Sequence, residues 1–179
     1  MMTYPDKLSY KTTVTETLRL DIMALGGPER HYLEIGCDVG YTVLSVAPAF
    51  ASCFGVDIDP MRIDAACLHA FAAGTQNCTF MVGDSQHIPS NRWDVVLIDA
   101  DHTYEAVKRD FERAIAALTP GETTIVFHDY GLSGAGVRKF VDELVAAGQC
   151  AHQVGKQDAW NPLGGSVNGP EAMAIRVHV

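Results

Sequence analysis

Apolar positions along the chain follow two alternating rhythms. Short runs rich in branched and aromatic residues occur at 31–35, 52–57, 78–82, 93–98 and 123–127, the length and chemistry of strands buried on both faces. Between most of them, apolar residues recur at helical spacing over 40–50, 60–72, 103–118 and 135–147, the last stretch ending at Gly148. An N-terminal segment at about 12–25, with Val14, Leu18, Ile22 and Leu25 in phase, predicts a further helix. Two more short strands are expected near 150–154 and 172–178. The Gly, Pro and Asn-rich stretch GKQDAWNPLGGSVNGPE between them predicts a loop long enough to cover a pocket. Strands alternating with helices predict an α/β, doubly wound, mainly parallel sheet with helices on both faces, in a single domain over 1–179.

Composition narrows this little. The chain has 179 residues, 47% hydrophobic and 20% charged, which suits one domain with a substantial core. A net charge of −9 and only 13 scattered Lys and Arg residues argue against nucleic acid as a partner, because phosphate binding needs clustered cations. No apolar stretch approaches the roughly 18 to 20 residues that span a bilayer, so the expectation is a cytoplasmic protein with no membrane partner. Five widely spaced cysteines (Cys37, Cys53, Cys67, Cys78 and Cys150) form no CxxC pair and are expected to be reduced and mostly buried.

In doubly wound sheets ligands bind at the carboxyl ends of the strands. Those ends carry Glu34 with Gly36 and Gly40, then Asp57 and Asp59, Gly83-Asp84-Ser85, Asp99, Asp101 and His102, and His128-Asp129. Clustered like charges repel, so this accumulation points to ligand chemistry. Asp38, Asp59 and Thr103 have the simpler reading of helix caps. Asp57 lies 21 residues after Gly36, the placement of an acid that binds both hydroxyls of a ribose. The glycine turn lacks the middle glycine of GxGxxG, and Asp38 sits where a pyrophosphate would approach. NAD is therefore disfavoured. A cationic nucleoside without phosphate, such as S-adenosylmethionine, suits the acidic rim better.

The motifs LEIGCDVGYT, FGVDID, MVGDS, WDVVLIDADHTYEAVKRDF and TIVFHDY, in this order, resemble class I S-adenosylmethionine-dependent methyltransferases. The closest likeness is to small metal-assisted O-methyltransferases with IDxDHxYE and HD motifs, relatives of macrolide-sugar O-methyltransferases. The resemblance implies a Rossmann-like seven-stranded sheet in the order 3-2-1-4-5-7-6, its last strand antiparallel. It also implies that Glu34, Gly36 and Gly40 form the methionine-side turn, with Thr42 binding the ligand carboxylate. Asp57 would hold the ribose, and Asp84 with Ser85 would meet the adenine edge, the Asp84 carboxylate accepting from the exocyclic amine.

With the fourth and fifth strands adjacent in that order, about 4.8 Å apart, Asp99, His128 and Asp129 converge as candidate metal ligands. Mg²⁺ suits oxygen donors. The histidine leaves Mn²⁺, Fe²⁺ or Zn²⁺ open as well, as it does a metal-free site in which His128 or His102 acts alone. His102, three residues after Asp99, is the candidate general base, beside Asp99 as the second catalytic residue; its simpler reading is a helix cap. Tyr104, Tyr130 and Trp160 either line an acceptor pocket or pack, and the glycines at 131–136 form a plain turn or a loop contacting substrate. The leading expectation is methyl transfer to a hydroxyl of a small molecule, in a chain that could dimerise through its N-terminal helix. A non-catalytic S-adenosylmethionine-binding module is the alternative, and a nicotinamide-dependent oxidoreductase the third reading.

Overall fold

The computed structural model describes residues 13–157 and 169–179. Seven strands, β1 (Gly27–Ile35), β2 (Phe50–Asp57), β3 (Cys78–Val82), β4 (Val95–Ile98), β5 (Glu122–Phe127), β6 (Ala151–Val154) and β7 (Ala172–His178), form one sheet. Their order is β3-β2-β1-β4-β5-β7-β6. The first five strands are mutually parallel, and β7 runs antiparallel to both β5 and β6. This is the order and strand sense that the family resemblance implied.

The described residues also form five α-helices, α1 (Glu16–Ala24) ahead of the first strand and α2 (Tyr41–Val46), α3 (Pro60–Ala73), α4 (Tyr104–Ala117) and α5 (Gly136–Ala146) between strands. The α1 helix begins where the Thr15 hydroxyl accepts from the Leu18 amide at 3.2 Å. Asp59 caps α3 as expected, accepting from the Met61 amide at 2.8 Å, with Pro60 at the first helical position. The helix expected over 40–50 is shorter: Pro48 lies in a three-residue 3-10 turn, Ala47–Ala49, that follows α2. A proline lacks the N–H that would continue the helical ladder, which accounts for the early stop. Trp93 lies outside the strand expected at 93–98, which starts at Val95, but is itself buried.

Central strands bury both faces. Val95 and Leu97 of β4 point to the layer holding Leu18, Ile22, Val43 and Val46, while Val96 and Ile98 face Val107, Phe127 and Phe140. All four β4 residues are buried, which is why the run reads as continuously apolar. The cysteines divide differently from expectation: Cys37 and Cys53 are buried, Cys78 is half-buried, and Cys67 and Cys150 are exposed. Among the described residues, no helix is long and apolar enough to cross a membrane.

Strand order reverses between β1 and its neighbour β4, so the connections leaving these strands diverge and open a crevice at their carboxyl ends. Gly36 and Asp99 follow these two strands directly and stand at that crevice.

Candidate active site

The turn after β1 is tight: Gly36, Asp38 and Gly40 all have positive φ, at 86°, 47° and 76°. The amides of Gly36 and Cys37 both donate to the Val56 carbonyl, at 2.8 and 3.1 Å. A Cβ on Gly36 would sit 2.4 Å from the Asp99 carbonyl oxygen, so only glycine lets the β1 and β4 ends come this close. Gly40 has a different role. A Cβ there would strike Phe80 and Ala66 at 2.8 and 2.9 Å, and Gly40 lines neither lobe of the crevice. It closes the expected turn and lets α2 start against α3 and β3.

Asp57 is held from two sides, its Oδ2 accepting from the Asp38 amide and its Oδ1 from the Asp59 amide, both at 2.9 Å. This leaves further lone pairs on both oxygens for a ligand. The Asp38 carboxylate caps nothing; it pairs with Arg62. Its charge is therefore neutralised, and the acidity of the rim rests on Asp57, Asp99 and their neighbours.

The crevice has two lobes that share Gly36, Asp38, Asp99 and Ala100. One, of about 400 Å³, lies beyond Asp57 and is walled by Ile35, Val56 and Ile58, with Asp84, Ser85 and Asp110 at its far end. Ile58 is 74% exposed, an apolar side chain left to solvent at the mouth of a polar cavity. The other lobe, of about 270 Å³, is bounded by Glu34, Tyr41, Thr42, Arg62 and His102. Glu34 is buried and accepts from the Tyr32 hydroxyl at 2.9 Å. Burial, and then the charge of Asp99, push its pKa well above the ordinary carboxylate range.

At the far end of the first lobe, Ser85 is buried and donates its hydroxyl to Asp110 Oδ1 at 2.6 Å. Asp84 is already surrounded. It accepts from the Gln86 amide and side chain, both at 3.0 Å, and from Arg113 at 3.3 Å, and lies 2.9 Å from His87 Nδ1. These four partners match the acceptor capacity of a carboxylate, about four sites.

The β4 and β5 ends hold a second cluster. His102 Nε2 lies 2.9 Å from Asp129 Oδ2, and the same oxygen lies 3.1 Å from His128 Nδ1. His128 Nδ1 is also 2.8 Å from Asp99 Oδ1, and its Nε2 is 3.5 Å from Glu171 Oε1. The hydrogen bond to Asp129 raises the His102 pKa against the opposing effect of burial. Burial opposes charge on His128 too, yet Asp99, Asp129 and Glu171 outweigh it and raise that pKa well above the ordinary value. Burial would raise the Asp129 pKa, but hydrogen bonds from both imidazoles depress it. Asp129 has φ 57°, a left-handed backbone rarely taken by residues other than Gly, Asn and Asp, and such strain tends to persist where a site requires it.

The expected metal set Asp99, His128 and Asp129 lies together at these strand ends, with His102 beside it. Ligand atoms of Asp99, His102 and Asp129 lie within 4.8 Å of one another, whereas His128, 1% exposed, sits behind them as a buried partner of the carboxylates. Tyr104 and Tyr130 line neither lobe; their hydroxyls donate to Glu143 and Asp142 on α5. Trp160 lies outside the described residues. The turn at 131–136 does structural work: the Gly136 amide donates to the His102 carbonyl at 2.6 Å. Thr103 precedes α4 without a side-chain cap bond, and Asp101 accepts the Thr103 amide at 2.9 Å.

Several residues were missed in the sequence. Asp110 had a signal, as a charged residue in phase with Ala106, Val107, Ala114 and Ala117 on the buried face of α4. Glu171 had none, because it ends a loop-like stretch. It is nevertheless 1% exposed and binds the Thr15 amide and hydroxyl at 2.7 and 2.5 Å and the Lys156 amide at 2.9 Å. It thereby ties the start of α1 to His128.

The sequence profile of the family described as Methyltransferase domain matches residues 33–130, the span from β1 to the end of the Asp129 cluster. No curated protein matches the sequence. Solved structures share the fold. Cofactor-bound Rv0187 from MTB superposes with TM-score 0.70 at 19% identity, over 92% of this chain and 81% of that one. The O-methyltransferase from Bacillus cereus in complex with SAH gives 0.64 at 21% identity, over 93% and 82%. The N-methyltransferase NodS from Bradyrhizobium japonicum WM9 gives 0.63 at 16% identity, over 89% and 93%. With its profile match covering more than half the chain, this protein belongs to the methyltransferase-domain family and is an S-adenosylmethionine-dependent methyltransferase.

Proposed function

We propose that the protein transfers the methyl group of S-adenosylmethionine to a hydroxyl oxygen of a small molecule, with His102 as general base. The observation that carries this is the His102–Asp129 pair, 2.9 Å apart, at the lobe that shares Gly36 and Asp99 with the nucleoside cavity. Adenosine fills the larger lobe in this reading. Asp57 binds its ribose hydroxyls, Ile58 covers the base, and Asp84 and Ser85 stand at the adenine end. Glu34, Gly36 and Thr42 bound the methionine portion.

The sulfonium is already electrophilic, so the protein's contribution is alignment of oxygen, methyl carbon and sulfur, together with removal of the hydroxyl proton. Asp129 orients the imidazole and stabilises the imidazolium that forms when His102 takes that proton. The paired His128 and Glu171 hold Asp129 in place from behind.

A divalent cation is supported by a second observation, the clustering of ligand atoms from Asp99, His102 and Asp129 within 4.8 Å. Such an oxygen and imidazole set fits Mn²⁺, Fe²⁺ or Zn²⁺ as well as Mg²⁺. When bound, the cation would lower the pKa of an acceptor hydroxyl and orient it, with His102 then serving as ligand.

The test is a methylation assay on paired acceptors that differ only in hydroxyl against amine, with products read by mass spectrometry and a chelator in parallel. Methylation confined to oxygen, and lost in His102→Ala, is the expected result. Efficient amine methylation by that variant would refute the assignment.

A further inference from the structure

The nucleoside lobe ends against two carboxylates, and they differ in what they can still bind. Asp84 has four hydrogen-bonding partners, two on each oxygen: the Gln86 amide and His87 on Oδ1, the Gln86 side chain and Arg113 on Oδ2. Its capacity is filled. Asp110 lines the same cavity at 3% exposure. The contacts recorded for it, Ser85 Oγ at 2.6 Å and Arg109 Nε at 3.6 Å, both fall on Oδ1, which leaves Oδ2 for a donor from the cavity. Asp110 lines the cavity, where an N–H of a bound ligand would complete the partners of its carboxylate.

Resting on the reading that S-adenosylmethionine occupies this lobe, we propose that Asp110, rather than Asp84, recognises the exocyclic amine of adenine and sets the preference for adenosine over nucleosides with a carbonyl at that position. An amine offers hydrogens to Oδ2. A carbonyl offers only lone pairs and would face the carboxylate with no hydrogen between them. The Ser85 hydroxyl tethers Oδ1 and so fixes the direction of Oδ2. Burial raises the Asp110 pKa against the opposing effects of Ser85, Arg109 and Arg113, so the charged, accepting form is secured at mildly alkaline pH.

The experiment is calorimetric titration at mildly alkaline pH with S-adenosylhomocysteine and S-inosylhomocysteine, which differ in replacement of the amine by a carbonyl. Wild-type protein should prefer the adenosyl compound by about 10- to 150-fold, the range for one hydrogen bond to a charged group. In Asp110→Asn the ratio should fall towards one, because an amide can turn either its oxygen or its nitrogen to the ligand, whereas Asp84→Asn should leave it unchanged. Should Asp110→Asn fail to fold, Ser85→Ala carries the test by untethering the carboxylate: a narrowed ratio supports the assignment and an unchanged one overturns it. Equal wild-type binding of both compounds, or a ratio that collapses only in Asp84→Asn, also overturns it. Failure of wild-type protein to bind S-adenosylhomocysteine would instead refute the underlying cofactor reading.

Discussion

Asp129 presents Oδ2 to His102 at 2.9 Å from a backbone held at φ 57°, so the orientation of the candidate base depends on a residue that few others could replace. Asparagine also tolerates the left-handed region, which makes Asp129→Asn the substitution that removes charge and keeps the backbone. His102→Ala is expected to lower kcat by about 10²- to 10⁴-fold, the usual contribution of a general base, and Asp129→Asn by less. Affinity for S-adenosylhomocysteine should change little in either. Steady-state kinetics and calorimetry on the same preparations check the split, and equal losses in both quantities would remove these residues from the chemistry.

The raised His102 pKa sets the sign of the pH dependence. Its hydrogen bond to Asp129 favours the protonated ring, and only the neutral ring accepts a proton. The acid limb of kcat should therefore inflect above the ordinary histidine value of about 6.5 and move to lower pH in Asp129→Asn. A pH–rate profile that is flat across this limb contradicts the role.

Asp57→Ala should weaken cofactor binding by about 10- to 150-fold, corresponding to roughly 1.5–3 kcal/mol for a hydrogen bond to a charged group. The fold should persist by circular dichroism, because the Asp38 and Asp59 amides it releases stand at an open rim where water replaces the carboxylate.

Gly136→Ala should lower both thermal stability and kcat without entering either lobe. A Cβ there would stand 2.0 Å from the Tyr104 amide nitrogen, forcing apart the starts of α4 and α5 and breaking the 2.6 Å bond that fixes the His102 carbonyl. A loss of about 1–3 kcal/mol is expected from such overpacking, measurable by chemical denaturation.

Glu34→Gln should stabilise the free protein while weakening cofactor binding. The folded-state pKa of Glu34 is raised, first by burial and then by Asp99. Its contribution to stability is therefore intact below about pH 4.5 and is lost as pH rises through the folded value. The variant should gain about 1 kcal/mol near neutrality and nothing at pH 4. Paired melts at the two pH values provide the check, and an equal gain at both would place the effect elsewhere.

Strand positions were legible because central strands buried on two faces must be apolar throughout, and β4 is simply VVLI. The acids at strand ends were visible for the opposite reason, as charges where packing needs none. Sequence could not tell which carboxylates remain open to a ligand. Asp38 and Asp84 are taken up by Arg62, and by Gln86, His87 and Arg113, partners set by side-chain geometry. It also could not separate His102 from His128. Both follow strands rich in apolar residues, but β5 carries His128 directly into the interior, whereas His102 follows a short loop that leaves it half-exposed. Glu171 escaped because its role depends on contact with Thr15, 156 residues away.

The central claim is that the crevice at the β1 and β4 ends holds a cationic adenosine cofactor. Calorimetric titration of the wild-type protein with S-adenosylhomocysteine, followed by challenge with NAD, tests it most directly. The prediction is saturable one-to-one binding of S-adenosylhomocysteine that NAD does not displace. Absence of binding, or displacement by NAD, would contradict it.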